Sequence, residues 1–325
     1  MKLINPNPFT TRPEIVGTFG VVTSTHWIAT AVGMGILERG GNAIDAAIAT
    51  NAVMGLVEPN YNGIGGDVFA IVYNAKEKKL YGLNAGGWAP TGLTAQLLKS
   101  KGLSRMPQSG IYTVTVPGAV KGWELLRKRF GTLPMSDLLA PAIFYADDGF
   151  PVSEVVARYW SEGARKLAAD PNAAKVFLPN GHPLKEGEVF RNPELANTMR
   201  LIAEKGPAGF YEGKTAEAIL SVMKAQGGTM TAADLTEYQP EWVEPISTTY
   251  RGWTVYELPP NTPGGITPCA AAPAGHTPIV PKNGSTGIAT LSPRRVIWPP
   301  SGPRSAGSRS NTRRYGSGKS SASKP

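Results

Sequence analysis

No acidic side chain follows Glu257 in this 325-residue chain, so its last 68 residues carry no carboxylate at all. From Pro259 onward the sequence is mainly Pro, Gly, Ser, Thr and Ala, with nine cations between Lys282 and Lys324. Before that boundary 24 basic residues balance 24 acidic ones, and the whole +9 net charge belongs to the tail. Such a break separates two kinds of polymer. The tail has neither helical nor strand periodicity and buries too little apolar surface to offset its ordering entropy. Residues 1–262 are therefore expected to form the folded body, and 263–325 a disordered basic tail rich in Pro, Ser and Gly.

The single cysteine, Cys269, lies in the tail, which excludes a disulfide within the chain and a cysteine-based metal site. His26, His182 and His276 are too scattered for metal-ligand spacing. Lys2 is not followed by the apolar stretch of a secretory signal, and no run approaches the length of a membrane span. A cytoplasmic protein is the expectation, with no membrane partner.

In the body, Phe19 to Ser24 (FGVVTS) reads as a short buried strand and His26 to Arg39 as a helix ended by Gly40-Gly41. Asn42 caps a second, nearly all-apolar helix, AIDAAIATNAVMGLV, expected to be buried on most sides. Asp45 in its first turn reads as a helix-start carboxylate rather than a catalytic acid. After the Gly-rich loop 60–66, Val68 to Tyr73 (VFAIVY) reads as a strand covered on both faces, and Leu80 to Asn84 as its hairpin partner. Val120, Trp123, Leu126 and Phe130 recur at helical spacing up to Gly131, and Ser136 is expected to cap a helix ending at Asp147-Asp148-Gly149. Further helices are expected over Asn192 to Glu204 and Lys214 to Gln226, a capping box at Thr231/Asp234, and one strand over Tyr250 to Leu258. This order suits layered α/β or α+β architecture.

Spacing alone yields no active site. Gly63-Ile64-Gly65-Gly66 lacks the third glycine of a dinucleotide loop and precedes a strand rather than a helix. Gly318-Lys319-Ser320 has Arg313 where a phosphate loop needs its first glycine. No Gly-x-Ser-x-Gly elbow occurs.

Several ordered blocks together resemble the γ-glutamyltranspeptidase family. The strongest is GGNAIDAAIATNAVMGLVEPNYNGIGGDVFAIVYN, residues 40–74. Val116-Pro117-Gly118, the stretch APAIFYADDGFPVS from Ala140, Gly209-Phe210-Tyr211, DLTEYQPEWVEPISTTYRG from Asp234, and Pro259-Pro260-Asn261-Thr262 follow in family order. The resemblance runs from about Val16 to Thr262 and implies an α+β fold, an incomplete αββα sandwich of the N-terminal-nucleophile hydrolase type. It implies a precursor that cuts itself into two subunits, the new N-terminal Thr attacking a γ-glutamyl or other amide, with backbone N–H groups stabilising the oxyanion. The substrate partner is thus a small-molecule amide, and no metal or organic cofactor is implied.

Two departures from the family pattern bear on activity. No Thr-Thr-His cleavage motif is present; Ser24-Thr25-His26 and Thr248-Thr249-Tyr250 are its nearest strings, so the nucleophile is expected to be missing from these residues and the chain inactive alone. The family also places an Arg three residues before an Ala-Pro pair, where it grips a substrate carboxylate through a bidentate fork. Here that position is Gly86, in Asn84-Ala85-Gly86-Gly87-Trp88-Ala89-Pro90. The expected substrate-binding positions are therefore Gly86, without charge, and Trp88, which either walls the pocket or simply packs. Three accounts of the tail stand beside this: a reading-frame change after Thr262, a basic tail binding nucleic acid or an acidic partner, or a split enzyme with a separately encoded small subunit. The tail's diluted cations and two aromatics, Trp298 and Tyr315, argue against the nucleic-acid account.

Overall fold

A computed structural model describes residues 16–250 and 252–262, together with the two-residue strand Ile297–Trp298. The expectation for the rest of the tail lies outside the described residues.

The body opens on two helices, α1 (Trp27–Glu38) and α2 (Ala43–Val57), followed by the antiparallel hairpin β1 (Val68–Asn74) and β2 (Lys79–Ala85). Next come α3 (Ala95–Ser100), α4 (Ala119–Phe130), α5 (Met135–Asp148), β3 (Phe150–Pro151), α6 (Glu154–Ala168), α7 (Pro171–Phe177) and β4 (Val189–Phe190). Four more helices follow, α8 (Pro193–Lys205), α9 (Ala208–Tyr211), α10 (Gly213–Ala225) and α11 (Ala232–Glu237), then strands β5 (Glu241–Val243), β6 (Ile246–Tyr250) and β7 (Trp253–Glu257), with β8 being Ile297–Trp298. The described strands make three small sheets, ordered β1-β2-β5, β3-β4 and β6-β7-β8.

Helix α2 is the hub, because its Ala-rich surface lets neighbours approach from several sides at once. It packs against α1, α4 and α5, and α5 in turn packs against α8. Its start is fixed as the sequence indicates: Asn42 and Asp45 form a reciprocal capping box. Asp45 does more than cap. Fully buried, it also accepts hydrogen bonds from the Thr132 N–H and hydroxyl and from the Leu133 N–H, tying α2 to the turn between α4 and α5. Asn42 completes that tie by donating to the Phe130 carbonyl at 2.6 Å.

Four expectations are corrected. Phe19 to Ser24 forms no strand and pairs with none among the described residues, and Phe19 and Val21 are 63% and 50% exposed. Val22 turns inward, against Gly33 of α1, so the run lines a groove beside α1 and α2 instead of joining a sheet. Strand β1 is covered by helices on one face only. Val68, Ala70 and Val72 pack on the core, whereas Phe69 and Tyr73 on the opposite face are 38% and 43% exposed. Pro134, not Ser136, is the N-cap of α5; its fixed φ suits a helix entry, and the Ser136 hydroxyl reaches only Asp137. Finally, the alternating run from Tyr250 to Leu258 is split, because β6 and β7 form an antiparallel hairpin with Gly252 at φ +83° in the turn.

His26 is the N-cap of α1 and is almost wholly buried. Its Nδ1 accepts from the Ile28 N–H at 3.3 Å, which puts the single proton on Nε2, where no described residue accepts it. A second proton would land on Nδ1 and break the cap, and burial lowers the His26 pKa below its ordinary value. The unfolded chain therefore binds this proton near pH ~6.5 while the folded chain resists it. The contribution to stability is full above that pH and is lost as pH falls through it toward the lower folded value. Urea unfolding at pH 7.5 and 5.5 should show this loss, at most ~1.4 kcal/mol per pH unit. His26→Asn keeps a capping oxygen and should flatten it; equal losses in both proteins would assign the titration elsewhere.

Candidate active site

The stretch carrying Gly86 and Trp88 begins where β2 runs out. Three loops meet there: residues 63–67 before β1, residues 86–91 after β2, and residues 115–118 before α4. The Gly66 carbonyl accepts from both the Gly118 and Ala119 N–H groups at 2.9 Å, satisfying two of the donors that open α4. The Val116 N–H donates to the Trp88 carbonyl, also at 2.9 Å. The backbones lie so close that a Cβ on Gly87 would fall 1.6 Å from the Val116 carbonyl oxygen, and one on Gly118 2.0 Å from that of Ala85. Glycine is required at both positions by contact, not by φ.

Gly86 differs from these two neighbours. A Cβ there would meet side-chain ends: Asn261 Nδ2 and Phe69 Cζ at 3.0 Å and Asn84 Oδ1 at 3.1 Å. Asn84 Nδ2 donates to Asn261 Oδ1 at 2.8 Å, and Asn84 Oδ1 accepts from the Gly86 N–H at 3.0 Å. The two carboxamides thus close over Gly86. Residues after β7 cross this open sheet face, Leu258 packing over Gly82 and Asn261 over Gly86.

Trp88 is 47% exposed and meets the Tyr238 ring edge-to-face at 5.4 Å between centroids. It packs on one side and leaves indole exposed to solvent on the other. Tyr238 is fully buried, and its hydroxyl has no partner among the described residues. Lys121 of α4 stabilises this wall by donating to the carbonyls of Leu235, Thr236 and Tyr238, with its ammonium 4.6 Å from the Tyr211 ring centroid. The Tyr211 hydroxyl donates to the Pro117 carbonyl at 2.6 Å. On the far side, Asp234 accepts from the N–H and hydroxyl of both Thr91 and Thr231, fixing the 86–91 loop to α11.

Asp67 is a carboxylate at this edge that sequence reasoning passed over. One carboxylate oxygen accepts from the Gly87 N–H at 2.8 Å. One side of Asp67 faces solvent, while the protein crowding its other side raises the carboxyl pKa, with the Gly87 N–H opposing. The available signal was its position: a lone carboxylate between a Gly-rich loop and an all-apolar strand, where packing gives it no purpose. Among the described residues no group of three or more His, Cys, Asp or Glu is placed to hold a metal ion, and no helix is long and apolar enough to cross a membrane.

The mixed helix-and-sheet fold is shared with solved γ-glutamyltranspeptidases, which are N-terminal-nucleophile hydrolases. The γ-glutamyltranspeptidase of Helicobacter pylori superposes with a TM-score of 0.74 at 32% identity, over 78% of this chain and 74% of that one. A cephalosporin acylase from Bacillus halodurans gives 0.71 at 40% identity, over 80% of this chain and 50% of that one. The chain belongs to the gamma-glutamyltranspeptidase family, whose model matches residues 29–272, ten residues past Thr262. The glutathione hydrolase-like YwrD proenzyme of Bacillus subtilis (strain 168) is 39% identical over 252 residues, 77% of this chain and 48% of the relative. The chain spans under half the length of the curated relatives it matches.

Proposed function

We propose that this chain supplies the large-subunit-like, substrate-holding part of an amide hydrolase or acyltransferase whose N-terminal Thr nucleophile lies outside the matched residues. The Thr hydroxyl attacks the amide carbonyl, the amine leaves, and water or an acceptor amine takes the acyl group from the Thr ester. The architecture proposed is an αββα sandwich. Support comes from sheet β1-β2-β5, which has helices on one face and Phe69, Ile71 and Leu80 directed to the other. A second sheet stacks on such a face about 10 Å away. We place the enzyme-like region at residues 1–262 and treat 263–325 as a separate segment. The candidate small-subunit partner is a separate polypeptide segment bearing the Thr.

The acyl group proposed is one not gripped through a carboxylate at Gly86, so γ-glutamyl amides are not specially favoured. The observation that carries this is the Asn84–Asn261 hydrogen bond closing over Gly86, which fills the place of a charged side chain with neutral amides. A charged grip on a carboxylate is worth about 1.5–3 kcal/mol, or roughly ten- to a hundredfold in discrimination. The 40% identity to a cephalosporin acylase agrees with a broadened acyl preference.

The test assays γ-glutamyl and butyryl 4-nitroanilides with the 325-residue chain alone and with the nucleophile-bearing segment of the Bacillus subtilis relative. The chain alone should release no nitroaniline. Together the two should turn over both anilides with kcat/KM values within about tenfold of each other. A preference above a hundredfold for γ-glutamyl would sink the acyl assignment, and turnover by the chain alone would sink the division of labour.

A further inference from the structure

We infer that the Asn62-Gly63 pair, in the Gly-rich loop between α2 and β1, is a self-modification site. There Asn62 loses ammonia and passes through a cyclic imide to aspartate or isoaspartate. The change needs only water and a base, so it stands independently of the function proposed above.

The chemistry is local. The Gly63 backbone nitrogen gives up its proton and attacks the Asn62 side-chain carbonyl carbon, Cγ. The new N–Cγ bond closes a succinimide ring, the Cγ–Nδ2 bond breaks, and ammonia leaves carrying that proton. Water then opens the ring at either imide carbonyl. One opening restores the ordinary peptide link beside a new carboxylate, and the other leaves the main chain running through the former side chain. Nothing is oxidised or reduced. Glycine favours the attack because it brings no Cβ to shield its nitrogen.

The sequence holds three Asn-Gly pairs, Asn62-Gly63, Asn180-Gly181 and Asn283-Gly284, and the motif alone does not rank them. The last lies outside the described residues. Exposure would put Asn180 first, since it is exposed whereas Asn62 is half-buried. The backbone reverses that order. The Gly181 N–H donates to the Leu178 carbonyl at 2.9 Å, so the nitrogen that must attack is already committed. Asn180 is also held at φ 63° and ψ 19°, where the following nitrogen points away from Cβ and out of reach of Cγ.

At Asn62 the reacting atoms are free. Among the described residues the Asn62 carboxamide has no hydrogen-bond partner, and the Gly63 N–H donates to none. The loop is tied through other atoms: the Asn62 N–H donates to the Glu58 carbonyl at 3.0 Å, and the Gly66 N–H to the Gly63 carbonyl at 3.1 Å. Gly63 is exposed, and a Cβ built on it would meet nothing within 4 Å, which leaves room for the ring. The same loop sets the Gly66 carbonyl against the start of α4 and Asp67 against the Gly87 N–H. The new negative charge therefore arrives beside the candidate active site.

The test holds the full-length chain at mildly alkaline pH and digests samples taken over time. Tandem mass spectrometry then reads a gain of about 1 Da at each asparagine. A guanidinium-unfolded sample supplies the rate each pair has without folded restraint. Relative to that reference, Asn62 should react about tenfold faster than Asn180 in the folded chain, the factor expected from one committed hydrogen bond. Gly63→Ala puts its methyl into open space, so near-UV circular dichroism should not change, yet reaction at Asn62 should slow about tenfold. Asn180 keeping pace with Asn62, no mass gain at Asn62 while the unfolded chain reacts, or an Asn62 rate unmoved by Gly63→Ala would each overturn the site.

Discussion

Replacing Asp45 by alanine is expected to destabilise the protein by about 3–5 kcal/mol, enough to abolish much of the stability of an ordinary domain. The carboxylate is fully buried and serves two segments far apart in sequence. It accepts from the Asn42 N–H at the start of α2 and from the Thr132 N–H, Thr132 hydroxyl and Leu133 N–H after α4. Alanine would leave all four donors without the buried acceptor that serves them, and an unmade buried bond costs more than a made one gains. Asp45→Asn keeps one acceptor oxygen and should recover roughly half of the loss. Thermal unfolding followed by circular dichroism measures both variants, with Tm falling on the order of 10 °C for alanine. An alanine variant within about 1 kcal/mol of the parent would show that the network is not what joins α2 to α4.

Asp45 also shows how far the sequence could be read. Its cap with Asn42 was legible because both partners sit within four residues and a first-turn acid has a local explanation. Its bonds to Thr132 were not, since nothing local signals a partner 87 residues away. The same divide runs through the strands. The β1–β2 hairpin was legible from two apolar runs and a polar turn, but the number of covered faces depends on tertiary layers, so the all-apolar run of β1 suggested burial on both sides. Phe19 to Ser24 has strand-like composition without a strand to pair with, and composition supplies no partner.

At the site, Gly86 and Trp88 were reached through family resemblance, and the structure adds why a glycine sits comfortably at 86. Asp67 carried no motif of its own. Its surroundings, the Gly87 N–H and the buried ring of Tyr238, come from separate segments and exist only once the chain is folded.

The second large effect separates two adjacent glycines that a sequence cannot tell apart. Gly87→Ala should cost upward of ~3 kcal/mol, because its new methyl would overlap the Val116 carbonyl oxygen at 1.6 Å and backbone has no rotamer by which to retreat. Relief would require parting the 86–91 and 115–118 segments, breaking the Val116–Trp88 hydrogen bond and drawing the Gly87 N–H away from Asp67. Gly86→Ala should cost less than ~1.5 kcal/mol, since its methyl meets only the mobile ends of Asn261, Phe69 and Asn84 at 3.0–3.1 Å. Urea midpoints of the two variants measure the gap, and values within ~0.5 kcal/mol of each other would refute the close approach. If position 86 tolerates a side chain while 87 does not, then glycine at 86 is not demanded by the fold.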